Sequence, residues 1–534
     1  MPENEPAASA ASSVPDAALP PVPAWPVRVW RFGRYPVATA LFLLLAFPRF
    51  DLWPMAHLAL VPLLLHLYGC RRGRAAFGAG LLSGCLFYAG LLYWIPRSLG
   101  AYGGLNLTMS ILTLLAVCLA CGGFWGAFAW AVYRLVSRWG WRGFFPVPCL
   151  WVVMEWLRDS VPQIGFPWGN LGTSQAYVGP LIQIADLTGV YGVSGLVAAI
   201  NTVFLLLLLM EVPRKVKIFW GALVGIALFH VLVYAEFCYL TIPITRGRAV
   251  EVAGIQGNAP DQNDWERLRE FHVEIYPALV AELDKRSPRP ELVILPENPA
   301  PFSYDRDLGY RQMMSELSRR HGITLLFNGI HYSARGYHNS VFSLDPAGRP
   351  GPVYDKIRLV PFAEQIPLQP VFSFVRILSR EISNFRPGTE PVLHDARGVK
   401  AGVFICYEGV FPGLVRDFTG AGADLLVNVT NDGWFGQTAA PYQHFQPNLL
   451  RAVENRRYLV RVANTGISAI IDPFGRVVEK GPLFERAIVS GTVYTQDRRS
   501  LYVAWGNWFP VLCAGAALFF LILSTRKKQD GTGA

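Results

Sequence analysis

From residue 35 to residue 238, apolar stretches follow one another with only short polar breaks between them. A soluble domain has no way to cover that much continuous apolar surface. A bundle of helices in lipid satisfies its backbone hydrogen bonds internally and needs no polar face. Seven stretches lie near 35–48, 52–69, 76–95, 105–133, 143–157, 188–211 and 216–238, and an eighth near 502–524. Several are shorter than the ~20 residues that cross a bilayer. The first two, broken by Phe47-Pro48-Arg49, read equally as one kinked element, and eight spans is the expected count. Charged residues make up only 16% of the chain and hydrophobic ones 52%, where soluble domains carry about 25% charged. Disorder, collagen, coiled coil and an all-soluble chain are excluded.

The cations orient the bundle. Arg28, Arg31, Arg34, then Arg71, Arg72, Arg74, then Arg134, Arg138, Arg142, then Arg214, Lys215, Lys217 and last Arg526, Lys527, Lys528 occupy alternate connections, fifteen in all. The remaining connections hold three: Arg49, Arg97 and Arg158. Short loops rich in Lys and Arg stay in the cytoplasm. Both termini are therefore expected inside and residues 239–501 outside, in the periplasm of a bacterial inner membrane. Residues 1–27 are rich in Pro, Ala and Ser and lack any Lys or Arg. They predict a disordered cytoplasmic tail over 1–34 and lack the basic start of a signal peptide; a second tail covers 525–534. Between residues 241 and 500, 30 basic residues face 28 acidic ones, so the net +10 sits beside the apolar spans. No basic stripe with interleaved aromatics points to nucleic acid.

The outer 260 or so residues predict one α/β domain. Apolar, β-branched runs at Val250–Gln256, Leu292–Leu295, Ile323–Phe327, Val403–Cys406, Leu425–Val429 and Ile467–Ile471 read as strands. Stretches with helical spacing (Asp264–Arg286, Asp307–Arg320, Tyr442–Arg457) lie between them. The alternation implies sheets covered by helices.

Seven of the eight cysteines lie in or beside apolar spans. Cys118 and Cys121 form a C-x-x-C without His or acidic ligands nearby, and read as packing residues. No His, Cys or Asp cluster has metal spacing and no cofactor motif occurs. Cys406 differs, being the one cysteine of a domain placed in an oxidising compartment, with no disulfide partner there. It ends the strand-like run Ala401-Gly-Val-Phe-Ile-Cys406. A cysteine nucleophile needs a base and a cation. Candidates are Glu297, after Leu292-Val-Ile-Leu-Pro, and Lys356, one of eight lysines in a chain with 40 arginines.

Leu295-Pro-Glu297, Tyr354-x-Lys356-x-x-Leu-Val-Pro-Phe-x-Glu364 and Cys406-Tyr-Glu408 resemble, in order and spacing, the three signatures of the carbon–nitrogen hydrolase (nitrilase) superfamily. The membrane spans narrow the resemblance to the apolipoprotein N-acyltransferase family. Gln256-Gly-Asn258, Trp265, Asn431-Asp-Gly-Trp-Phe-Gly436, Gln443-His444 and Gly165-Phe-Pro-Trp168 are also similar to that family. The resemblance implies an α-β-β-α sandwich and a Glu297-Lys356-Cys406 triad. It further implies ping-pong acyl transfer from a phospholipid, typically phosphatidylethanolamine, through a Cys406 thioester. The acceptor would be the α-amine of a diacylglyceryl-cysteine on an apolipoprotein. Glu297 would be general base, and Lys356 with the Tyr407 N–H would hold the oxyanion. Glu364, Tyr407, Glu408, Trp265 and Trp434 would support the triad or bind substrate. Ala363 and Gln365 depart from the usual Gly and aromatic, and Pro447 interrupts a helix usually free of proline.

His444 reads as structural. The apolar run Pro370–Leu378, with Phe372 and Phe374, reads equally as a mobile, membrane-facing lid or as a packed core helix. A monomer is expected. A tethered amidase would use the same triad but need only one span. A transporter would show ionisable residues within the spans, and only Glu155 and Glu236 occur, each near a span end.

Overall fold

The computed structural model describes residues 25–526 apart from 103, 210, 260–263, 298–301 and 367–383, and only the backbone of 25–32 and 102. The Pro370–Leu378 stretch therefore lies outside the described residues. The first helix runs Trp25–Ala46. Residues 25–34, expected in the tail, are instead its opening turns: Pro26 sits in the first turn, where a missing N–H costs nothing. Among the described residues five helices are long and apolar enough to cross a membrane: Gly73–Leu91, Leu107–Phe144, Val190–Leu208, Arg214–Thr241 and Trp508–Thr525. Gly33–Ala46 and Trp53–Tyr68 are apolar but shorter, as is Val147–Ser160.

Among the described residues the outer domain has twelve strands: β1 (Ala249–Gln256), β2 (Leu292–Ile294), β3 (Thr324–Ser333), β4 (Gly336–Leu344), β5 (Tyr354–Asp355), β6 (Leu393–Ala396), β7 (Val399–Ile405), β8 (Leu425–Thr430), β9 (Leu459–Ala463), β10 (Ala469–Ile471), β11 (Val477–Lys480) and β12 (Ala487–Tyr494). They form two six-stranded sheets, ordered β12-β1-β2-β3-β4-β5 and β11-β10-β9-β8-β7-β6. Each has three central parallel strands, β1-β2-β3 and β7-β8-β9. The sheets face each other closely: a Cβ on Gly254 of β1 would lie 2.5 Å from Val462 Cγ2 of β9. Only glycine permits that approach.

Helices complete the layers. Tyr310, Met314 and Leu317 of the helix Leu308–His321 join the core on the outer side of the first sheet. Phe418 of Pro412–Gly420 and Leu449 and Leu450 of Ala440–Asn455 pack on the second. The membrane helices continue this last layer outward. Gln443 Oε1 accepts from Trp94 Nε1 and Trp168 Nε1, both at 3.1 Å, and its Nε2 donates to the Leu91 carbonyl at 3.1 Å. Arg456 meets Asp186 at 2.8 Å, and Glu454 Oε1 accepts from the Val190 N–H, at the start of Val190–Leu208, at 2.8 Å.

The three cations on the sparse side of the bundle are all engaged. Arg49 donates to the Gln437 carbonyl at 3.0 Å, and Arg158 is buried against Asp159 at 2.9 Å. The Arg97 guanidinium lies against Gly436, where a Cβ would come within 3.0 Å and φ is +56°. Glu155 is buried, accepting from Trp151 Nε1 at 2.9 Å and the Leu171 N–H at 2.7 Å.

Candidate active site

In parallel sheets the C-terminal strand ends form the site, because the loops leaving them are free to carry side chains. Here Glu297 follows β2, Cys406 follows β7, and Asn431 follows β8. The facing of the two sheets brings all three to one place. Cys406 stands between β7 and a short 3-10 turn with φ +53°. That is a left-handed conformation rare outside glycine and costly enough to persist only where the surroundings impose it. It turns the thiol out of the strand.

Lys356 follows β5, and its N–H is tied to the Asn339 carbonyl of β4 at 2.8 Å. Its side chain is fully buried, with Nζ 2.9 Å from Glu364 Oε1 and 3.4 Å from Glu297 Oε1. Burial works against the ammonium, but the Glu297 and Glu364 carboxylates outweigh it and hold Lys356 above the ordinary lysine range. Glu297 Oε2 accepts from the Asn431 N–H at 3.0 Å, and Glu364 Oε2 from the Val360 N–H at 2.8 Å. Burial, and then the Glu297 charge, push the Cys406 thiol well above its usual range, while Lys356 pulls it down. The thiol thus lies within the electrostatic reach of both groups.

Of the supporting residues, Glu364 grips Lys356 directly. Glu408 is fully buried beneath the Cys406 turn and takes the N–H groups of Ile405, Ile357 and Arg358 at 2.7, 2.7 and 2.9 Å, with the Tyr354 hydroxyl at 2.9 Å. It ties the loop that carries Lys356 to the turn that carries Cys406. Burial raises it to about 6 against those donors and Lys356. The Tyr407 hydroxyl donates to the Gly165 carbonyl of the bundle at 3.3 Å. Trp434 accepts on its carbonyl from Ser98 Oγ at 2.7 Å. Trp265 opens the helix Trp265–Glu270 with its side chain 62% exposed.

Sequence reasoning missed Asn339, whose Nδ2 donates to Glu297 Oε1 at 2.9 Å and Glu364 Oε1 at 2.8 Å. It sits in the polar run His338-Asn339-Ser340 of β4, which lacks the apolar alternation of a strand. A second buried cluster backs the thiol: Asp432 meets Arg461 at 2.9 Å and His444 Nδ1 at 2.8 Å. Arg461 also reaches Asn428, which donates to the Cys406 carbonyl at 3.4 Å. Burial alone would raise Asp432, but Arg461 and His444 reverse that and hold it at about 2. Among the described residues no cluster of His, Cys, Asp and Glu has the arrangement of a metal site.

The model of the apolipoprotein N-acyltransferase N-terminal domain matches residues 39–203, and that of carbon-nitrogen hydrolase matches residues 279–502. An apolipoprotein N-acyltransferase of Geobacter metallireducens is 36% identical over 504 residues, covering 92% of this chain and 95% of its own. The chain belongs to the apolipoprotein N-acyltransferase family. A family member of Nitrosomonas europaea is 34% identical over 465 residues, 85% of this chain and 89% of that one. A solved amidase from Nesterenkonia sp. is 20% identical, with a TM-score of 0.37, over 49% of this chain and 98% of its own. The first match lies within the apolar helices, and the second spans the α/β domain from β2 through β12.

Proposed function

We propose that this membrane protein N-acylates apolipoproteins, taking a fatty acyl group from a phospholipid such as phosphatidylethanolamine and passing it to the α-amine of a diacylglyceryl-cysteine. Family membership supports the activity. One observation supports the route: a fully buried Lys356 clamped between Glu297 and Glu364, within electrostatic reach of the outer domain's single cysteine.

In the first step Glu297 takes the Cys406 proton as Sγ attacks the ester carbonyl of the donor. Lys356 and the Tyr407 N–H stabilise the oxyanion, each such donor contributing a few kcal/mol in a water-poor site. The C–O bond breaks, the lyso-lipid oxygen takes the proton from Glu297, and a thioester remains. In the second step the acceptor amine attacks the thioester carbonyl, Glu297 removes its proton, and the C–S bond breaks to release thiolate and amide. Glu297 returns the proton to sulfur. No metal or cofactor enters. Trp265 and Trp434 are assigned to substrate positioning, and the apolar residues 370–378 to a lid at the bilayer surface.

The same reading gives eight spans, a monomer, both termini in the cytoplasm and the catalytic domain in the periplasm of a bacterial inner membrane. It rests on the fifteen-to-three cation asymmetry of the loops. The test is incubation of the detergent-purified protein with phosphatidylethanolamine and a diacylated lipopeptide, read by mass spectrometry. The expected result is a long-chain acyl adduct on Cys406 in the absence of acceptor and its transfer to the peptide amine when acceptor is added. The Cys406→Ala protein forms neither. N-acylation that survives in Cys406→Ala would overturn the proposed route.

A further inference from the structure

A cavity of about 450 Å³ opens beside the nucleophile turn, where the outer domain meets the bundle. Its volume falls in the ~300–1,000 Å³ range of small-molecule sites. Gln163 and Gly165 line it from the loop after the bundle helix Val147–Ser160. Tyr407, Phe411, Ile366 and Arg358 line it from the outer domain. Tyr407 follows Cys406 directly, and Arg358 lies two residues beyond Lys356, so the segments that carry the thiol and the lysine both border the cavity.

Among the described residues, Arg358 is the single charged residue of the lining. Its guanidinium stacks over the Phe411 ring at 5.4 Å, and no carboxylate among the described residues pairs with it. An arginine fixed by an aromatic face, with its donors left over, is a ready partner for a phosphate, whose oxygens match the planar guanidinium fork. The remaining lining is mainly apolar and suits a glycerol backbone and the first carbons of an acyl chain.

We propose that Arg358 binds the phosphodiester of the acyl donor and so seats the glycerol ester beside Cys406. This rests on the acyl-transfer reading above and deepens it. The acceptor carries no phosphate, so Arg358 acts on the first step alone and sets the preference for a phospholipid over a neutral diacylglycerol. Glu408 fixes the Arg358 N–H at 2.9 Å, which holds the base of that side chain in a constant relation to the nucleophile turn.

The test measures Cys406 thioester formation without acceptor, in the detergent-purified full chain. Phosphatidylethanolamine is compared with diacylglycerol bearing the same chains. Wild type should favour the phospholipid, and Arg358→Gln should lower that preference about tenfold, with Arg358→Lys in between. sn-Glycerol 3-phosphate should slow the wild-type reaction with the phospholipid, a measurement that needs no variant. Equal wild-type rates with both donors, an unchanged preference in Arg358→Gln, or no competition by glycerol phosphate would each overturn the proposal. A wild-type protein that forms no thioester with either donor would instead sink the acyl-transfer reading.

Discussion

Two of the helices on the outer domain, one on each sheet, meet opposite surroundings. Leu308–His321 buries Tyr310, Met314, Leu317, Ser318 and His321 and turns the rest outward. Its Glu316 pairs with Arg319 at 2.8 Å and with Arg320 at 3.9 Å on the surface. Ala440–Asn455 buries every residue but Tyr442, including Gln443, His444, Gln446, Asn448, Arg451 and Glu454. Both have an amphipathic pattern, yet only the first uses its polar face against solvent. The second buries its polar residues: Gln443, Gln446 and Glu454 bond to the bundle, and His444 and Arg451 pair with Asp432 and Glu454. A polar face therefore does not imply exposure in a chain that packs a soluble-type domain on membrane helices.

That contrast can be broken at its most buried point. Arg456→Leu, just past the end of Ala440–Asn455, leaves Asp186 of the bundle buried without its cation, at a cost of about 3–5 kcal/mol. A large drop in thermal midpoint in detergent is the expected result; a midpoint equal to wild type would show that the interface is not stabilised by its charges. The Asp432–His444–Arg461 cluster gives a smaller effect with a defined pH window. Asp432 is held near 2, below its ordinary 3.8, so it stabilises the fold above about pH 4. That contribution, about 2 kcal/mol, is lost as pH falls through 2. Wild type should lose stability between pH 5 and pH 2, and Asp432→Asn should be less stable at pH 5 and flatter over that range. An Asp432→Asn midpoint that falls as steeply as wild type would remove the assignment. On the exposed helix, Glu316→Ala should change stability by no more than about 0.5 kcal/mol. A larger loss in chemical or thermal unfolding would mean that the two helices are less different than their burial indicates.

The candidate site residues were legible because they follow short apolar runs: Glu297 after Leu292–Ile294, Cys406 after Val399–Ile405. The strands around them were partly hidden. β4 and β9 carry Asn339 and Arg461, polar residues that face buried partners. They break the apolar runs by which strands are recognised. Asn339 could not be picked out by type, since its value lies in standing between two glutamates that are 67 residues apart in the chain. The helix start at Trp25 was missed for a related reason. Arg28, Arg31 and Arg34 look like a tail by charge, but nothing in their backbone preferences ends a helix.

Sequence alone determined the division into an apolar helical part and an α/β part, the alternation of strands and helices in the latter, and the choice of Cys406, Glu297 and Lys356 as candidate site residues. These follow from local properties: the length and period of apolar runs, and the scarcity of cysteine and lysine outside the spans. Tertiary structure decided that Arg358 stands at a cavity beside the Cys406 turn, that Glu408 joins two loops, and that Ala440–Asn455 is an interface helix. Each depends on which distant segments fold against one another, and burial and charge pairing are set by those neighbours rather than by the residue's own type.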